Sequence, residues 1–112
     1  MLCCLWCSDG EAWQRLHCQY RIGCRYALGA VFEGVDILLA PCVAGEAPKG
    51  FETTGDTQLQ EFWTALHVPT ISLPIHKGPE GLPLGVQLVA PLYEDARLLA
   101  YARWVMAQFG KT

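Results

Sequence analysis

The chain has few side chains able to attack, take a proton or hold a metal. Its serines are Ser8 and Ser72, its histidines His17, His67 and His76, and its lysines Lys49, Lys77 and Lys111. A nucleophilic site needs an activated side chain, a base to take its proton and donors aimed at the developing oxyanion. Ser8 lies in a Cys-rich start, and Ser72 lies inside an apolar run with no Gly-rich turn to expose it, so neither sits on a nucleophile elbow. No motif links the three histidines to a nucleophile or a metal, and they read as surface or satisfied core residues. Lys49 and Lys77 fall in loops and Lys111 near the end, where nothing desolvates them into bases.

Six cysteines raise the question of a metal or a disulfide framework. Cys3, Cys4 and Cys7 are crowded, with His17, Cys18 and Cys24 further on. A zinc site wants two ligand pairs separated by a loop, whereas the second group here falls within a helical pattern. The better reading is free thiols in a reducing cytosol, acting as small hydrophobes. Paired carboxylates, Glu52 with Asp56 and Glu94 with Asp95, are explained as helix caps and first-turn charges. GPEGLPLG has three glycines but stands between two strand-like runs rather than before a helix, so it is a hairpin loop and not a phosphate cradle. No cofactor and no metal follows from these residues.

These side chains must be positioned by what 112 residues can build, which is one core. A content of 52% hydrophobic against 17% charged is too apolar for disorder and rich for a small free domain. The excess implies surfaces that more protein covers, either a partner or a missing N-terminal part. The net charge of −3 and the absence of a Lys/Arg cluster exclude a nucleic-acid footprint. No uncharged run approaches the ~18 residues of a membrane span. MLCCLWC lacks a basic flank and is followed by Asp9 and Glu11, so no signal peptide is read and a cytoplasmic location is expected.

From Glu11 to Phe32, Trp13, Leu16, Tyr20, Cys24, Ala27, Leu28 and Val31 recur at spacings of three and four, predicting a long amphipathic helix that ends near Gly34. VDILLAP, stopped by Pro41, reads as a strand buried on both faces in a parallel or mixed sheet. Cys42 to Gly55 has no periodicity and is expected to be a surface loop. Asp56 caps a short helix over Thr57 to Leu66, with Leu59, Phe62, Trp63 and Leu66 on one face. Thr70 to Ile75 and Leu84 to Val89 are expected to form a hairpin around HKGPEGLP. Glu94 or Asp95 opens a last helix whose Leu98, Leu99, Ala102, Val105, Met106 and Phe109 form one face, with Gly110 as its end. Trp13, Trp63, Trp104 and Phe109 sit at helical core spacing and need no ligand.

The stretch TTGDTQLQEFWTALHVPTISLPIHKGPEGLPLGVQLVAP resembles the C-terminal part of the amidase signature family, serine hydrolases of linear amides whose members include a component of the tRNA-dependent amidotransferases. Thr54, Gly55 and Asp56 precede a helix with Trp63 and Thr64. Pro69 and Pro74 bracket a strand, and Gly81, Pro83, Gly85, Val86 and Gln87 open the next. Asp95, Leu98 and Leu99 are similar to the family's last helix, and VDILLAPCVAGEAP to the strand and loop before the block. The likeness runs from about Ala27 to Phe109. Leu59 and Gln60 stand where many members have Phe and Asn, and His67 stands where they have Gly, so that helix end should be strained or differently closed.

The resemblance implies an α/β fold, a mixed β-sheet flanked by helices in the order α-β-α-β-β-α. It implies one partial domain over residues 1–112, the C-terminal segment of an amidase domain, with 1–10 unplaced. The family's chemistry resembles acyl transfer by a Ser, a second Ser in a cis peptide and a Lys. No position here matches that set, so no catalytic residue is carried over. What the resemblance carries over is a substrate-binding loop at Thr53, Thr54 and Gly55, supported by Trp63. The expected function is therefore a fragment of an amide C–N hydrolase, inactive by itself, with a small amide as substrate only of the intact relative. The alternative is a non-catalytic module that docks on a partner through its apolar surfaces. A Cys-based metal or redox protein rests on the crowded start alone.

Overall fold

The computed structural model describes residues 12–109, and the side chains of residues 19–109. The Cys-rich start, the Trp13 side chain and Gly110 lie outside the described residues. The chain divides into two compact units between Gly34 and Val35. The first contains helix α1, Ala12–Val31, where the 3.6-residue period predicted a helix. Tyr20 and Cys24 stand one turn apart on it, and their hydrogen bond raises the Tyr20 phenol above its ordinary pKa. The expected apolar face is only partly inward: Leu28 is buried, whereas Tyr20 and Val31 are exposed.

The second unit runs β1 (Leu38–Pro41), α2 (Gln58–Leu66), β2 (Thr70–Lys77), β3 (Pro83–Val89) and α3 (Asp95–Phe109). The element order and the α/β class are those expected. The strands form one sheet in the order β1-β3-β2, and both ladders are antiparallel. Strand β1 is therefore a correction in two respects. It pairs antiparallel, and as an edge strand it alternates in burial, with Leu39 66% exposed. A continuous apolar run signals burial on both faces only when neighbours cover both, and β1 has a partner on one side only.

Strand β3 is central and ends in the buried Gln87, Leu88 and Val89, followed at once by the buried Ala90. Strand β2 shows the period of two of an edge strand with one face on the core: Ile71, Leu73 and Ile75 turn toward α3 and Thr70, Ser72, Pro74 and His76 away from it. Its register slips between Pro74 and His76, where a proline without an N–H is tolerated because β2 is an edge. Leu73, Leu88 and Ala90 pack with Leu98 and Ala102 of α3 into the core, flanked by Ile37, Ile71, Ile75, Val86, Tyr101 and Val105. Each fully buried Leu contributes about 2 kcal/mol by removal from water.

Helix α3 presents a narrower inner face than expected. Leu98, Ala102 and Val105 face the core, but Leu99, Met106 and Phe109 are exposed and Trp104 is 62% exposed. The expectation of core roles for Trp104 and Phe109 is corrected. One small sheet covers only one stripe of a helix, while the apolar residues of α3 extend around a wider arc. The Tyr101 hydroxyl donates to the Asp36 carboxylate, tying the start of the unit to α3.

That hydrogen bond, then burial, raises the Tyr101 phenol above its ordinary pKa of 10. A raised folded-state pKa stabilises below the unfolded value and loses its effect as pH climbs through the folded one. The stability gap between wild type and Tyr101→Phe should thus be constant at neutral pH and close only above about pH 10, as read from denaturant midpoints.

Helix α2 closes with His67 at φ 58° and ψ 29°, its N–H donating to the Thr64 carbonyl at 3.2 Å. The expected strain at this helix end is there, since a Cβ in the left-handed region costs roughly 1 kcal/mol. His67→Gly should raise the unfolding free energy by up to about 1 kcal/mol in urea titration, the relief of strain outweighing glycine's added chain entropy. A lower midpoint would contradict this account.

Candidate functional site

The face of the sheet opposite the α3 core carries a strip of polar groups, and the long loop and α2 belong to it. Gln87 is 5% exposed, yet both hydrogens of its amide nitrogen are used: Nε2 donates to the Pro41 carbonyl at 3.0 Å and the Leu59 carbonyl at 3.1 Å. Both partners are pure acceptors, so the network itself fixes which way the amide points. One side chain thereby joins the end of β1 to the first turn of α2. A second glutamine repeats the device, Gln60 Nε2 donating to the Cys42 carbonyl at 3.3 Å.

Ser72 lies on this face opposite Gln87 in the ladder. Its Oγ is 3.0 Å from the buried Cys42 Sγ, so its partner is a thiol and not an imidazole or amine that could serve as its base. Gly85 completes the cluster by close approach: a Cβ there would stand 2.8 Å from Ser72 Oγ and 3.3 Å from Cys42 Sγ. Among the described residues no three His, Cys, Asp or Glu side chains come together in a metal-holding group.

The loop after β1 brings the expected substrate-binding residues to the surface. Thr53, Thr54 and Gly55 are all exposed. Gly55 has φ +103°, a conformation that favours glycine, and its N–H donates to Thr53 Oγ1 at 3.1 Å. Asp56 then accepts from the Gln58 N–H at 2.9 Å, a bond to a first-turn amide as expected, but the N-cap position is Thr57, whose side chain makes no capping bond. The Thr57 hydroxyl donates to Glu61 Oε1 at 2.6 Å, and the Thr64 hydroxyl to the Gln60 carbonyl at 3.1 Å. Trp63 is half-buried on α2 and takes an edge-on contact from Phe62, the ring centres 5.0 Å apart at 75°. Thr53 and Gly55 are thus bonded to each other, while Trp63 is set by α2 packing. Gln87 and Gln60, which tie these segments together, were not singled out for that role by the sequence. A polar residue within an apolar strand was the available signal for Gln87, since a buried amide must find partners.

A family model described as Amidase matches residues 7–99. The chain belongs to the amidase family. A mitochondrial glutamyl-tRNA(Gln) amidotransferase component from Aedes aegypti is 34% identical over 86 residues, covering 69% of this chain and 17% of that protein. A crystal structure of an amidase superposes with a TM-score of 0.73 at 31% identity, covering 90% of this chain and 26% of the other. A second solved chain has a TM-score of 0.69 at 26% identity and covers 91% of this chain and 25% of its own. It comes from an inhibitor-bound vestigial complex described as revealing the evolutionary origins of an s-triazine catabolic enzyme. The chain thus spans about a sixth of the length of the curated relatives it matches. The family likeness begins earlier than the block from Ala27 onward on which the sequence resemblance rested.

The two donors of Gln87 supply a direct check on the amidase-family segment. Gln87→Glu keeps the shape but removes both N–H groups, leaving the Pro41 and Leu59 carbonyls facing an acceptor. It should cost about 2 kcal/mol or more in urea unfolding, and Gln87→Leu a similar amount. A change within a few tenths of a kcal/mol would show that water replaces the amide.

Proposed function

We propose that this chain is a C-terminal segment of an amide C–N hydrolase domain that supplies a wall of the acyl pocket and no catalytic group. What carries the reading is the 31%-identical likeness to a solved amidase over 90% of the chain, alongside a sequence with no match to the family's Ser–Ser–Lys set. On this reading residues 1–112 are one partial domain. Thr53, Thr54 and Gly55 form the loop against the substrate, and Trp63 supports it from α2. The geometry is compatible: a glycine-dependent turn presents two hydroxyls and backbone groups on the surface beside an anchored helix. The chemistry in the intact relative is attack of a serine on the amide carbonyl, with a lysine relaying the serine's proton through the second serine to the amide nitrogen. Ammonia or amine departs as the C–N bond breaks, and water then releases the acid from the acyl-serine. The substrate is a small amide. No helix of the described residues is long and apolar enough to cross a membrane.

A second reading, a docking module without catalysis, is favoured by the exposed Leu39 and Trp104, apolar side chains of the kind that mark covered surfaces. Several relatives are named as subunits of an amidotransferase, which supports a protein partner. Light scattering after size exclusion separates the two, since a defined complex supports docking and a monomer weakens it.

The purified chain should show no turnover of aliphatic or aryl amides above background. Robust turnover abolished by a serine-directed sulfonyl fluoride would sink the proposal, and Ser72→Ala would be the first variant to make. Titration of a short aliphatic amide into isotopically labelled chain should move the amide signals of Thr53 to Gly55 and the Trp63 indole. Shifts confined to other residues would place the site elsewhere.

A further inference from the structure

We propose that Glu46 is the positioning residue of the Thr53–Gly55 loop, holding it by clasping the turn between β2 and β3. Its Oε1 accepts the Leu82 N–H at 2.9 Å and its Oε2 the Glu80 N–H at 3.1 Å. One carboxylate thus bridges two main-chain donors, the charge-assisted and geometrically specific form of the hydrogen bond. The turn is built to present them. Gly78 N–H donates to the Leu82 carbonyl at 2.9 Å, Gly81 N–H to the Gly78 carbonyl at 3.0 Å, and Gly81 takes φ +86°. Gly78 leaves the space the clasp needs, because a Cβ there would collide with the Glu46 carboxylate.

The anchor reaches the candidate pocket loop through two residues. Pro48 follows Glu46 closely, and a Cβ placed on Gly55 would lie 3.6 Å from Pro48 Cδ, so Gly55 packs beside that ring. Gly55 in turn holds Thr53 through its N–H. The Lys49 to Glu80 pair at 3.9 Å is almost fully solvated and adds little. With Gln60 fixing the loop's start at Cys42, Glu46 is the fixed point in its middle. A long connection without such a point would sample many conformations. The functional meaning of this clasp rests on the pocket-wall reading above; the clasp itself does not.

Amide exchange and proton–nitrogen spectra of the full 112-residue chain test both parts. In the wild type the Glu80 and Leu82 amides should be protected and their protons displaced downfield by the charged acceptor. In Glu46→Ala both should exchange about tenfold faster and lose that displacement, and the Thr53 to Gly55 amides should respond with them, while Val86 and Leu88 stay unchanged. Gly78→Ala should reproduce this by pushing the carboxylate away, yet add nothing in the Glu46→Ala background, where its methyl meets no carboxylate. Glu46→Gln, keeping one acceptor oxygen, should preserve protection at only one of the two amides. Unprotected Glu80 and Leu82 in the wild type, unchanged exchange in Glu46→Ala, or equal losses at Val86 and Leu88 would overturn the clasp. A response at Glu80 and Leu82 without one at Thr53 to Gly55 would overturn the positioning. Neither result bears on the amide titration, which alone decides whether the loop is a pocket wall.

Discussion

Strand β3 is hydrogen-bonded along both edges and buries residues on both faces, with its buried amide, Gln87, on the side away from the α3 core. Leu88 turns toward α3 with Leu73, Leu98 and Ala102, in a contact that needs only volume and exclusion of water. Gln87, one residue earlier, turns the other way and donates to carbonyls at the end of β1 and the start of α2. A slip of one residue in the register would exchange the two, placing an amide in the apolar core and a leucine beneath two carbonyls. The register of β3 therefore fixes both layers of the second unit at once.

The face with Gln87 is where family membership acquires structural content. Gly85 admits the Ser72 and Cys42 side chains, Gln87 joins the neighbouring elements, and Gly81 turns the hairpin that presents two amides to Glu46. These contacts hold neighbouring segments of the second unit together.

Several features were legible in the sequence because they are local. Helix α3 followed from its apolar period, the hairpin from two apolar runs around a Gly/Pro-rich turn, and the Asp56 bond to a first-turn amide from its place before a helical pattern. His67 in a left-handed helix end followed because only a few residues can close a helix where the chain must turn. The edge position of β1 was not legible, since an apolar strand reads alike whether one neighbour covers it or two. The wide apolar arc of α3 misled for the same reason: Trp104 and Phe109 have core chemistry but lie on the exposed side of the helix.

The stretch from Thr53 to Pro91 by itself pointed to the family and to a candidate loop, and the periodicity of the whole chain gave the element order, because turn chemistry and periodicity are written within a few residues of one another. Only the tertiary structure decided what holds that loop. Glu46 meets Glu80 and Leu82 across more than thirty positions of chain, and Gln87 meets Pro41 across more still. A carboxylate or an amide carries no mark in sequence of which backbone groups it will satisfy. The partner is chosen by the register of an antiparallel sheet, which brings distant main-chain groups within hydrogen-bonding distance only once the strands have paired.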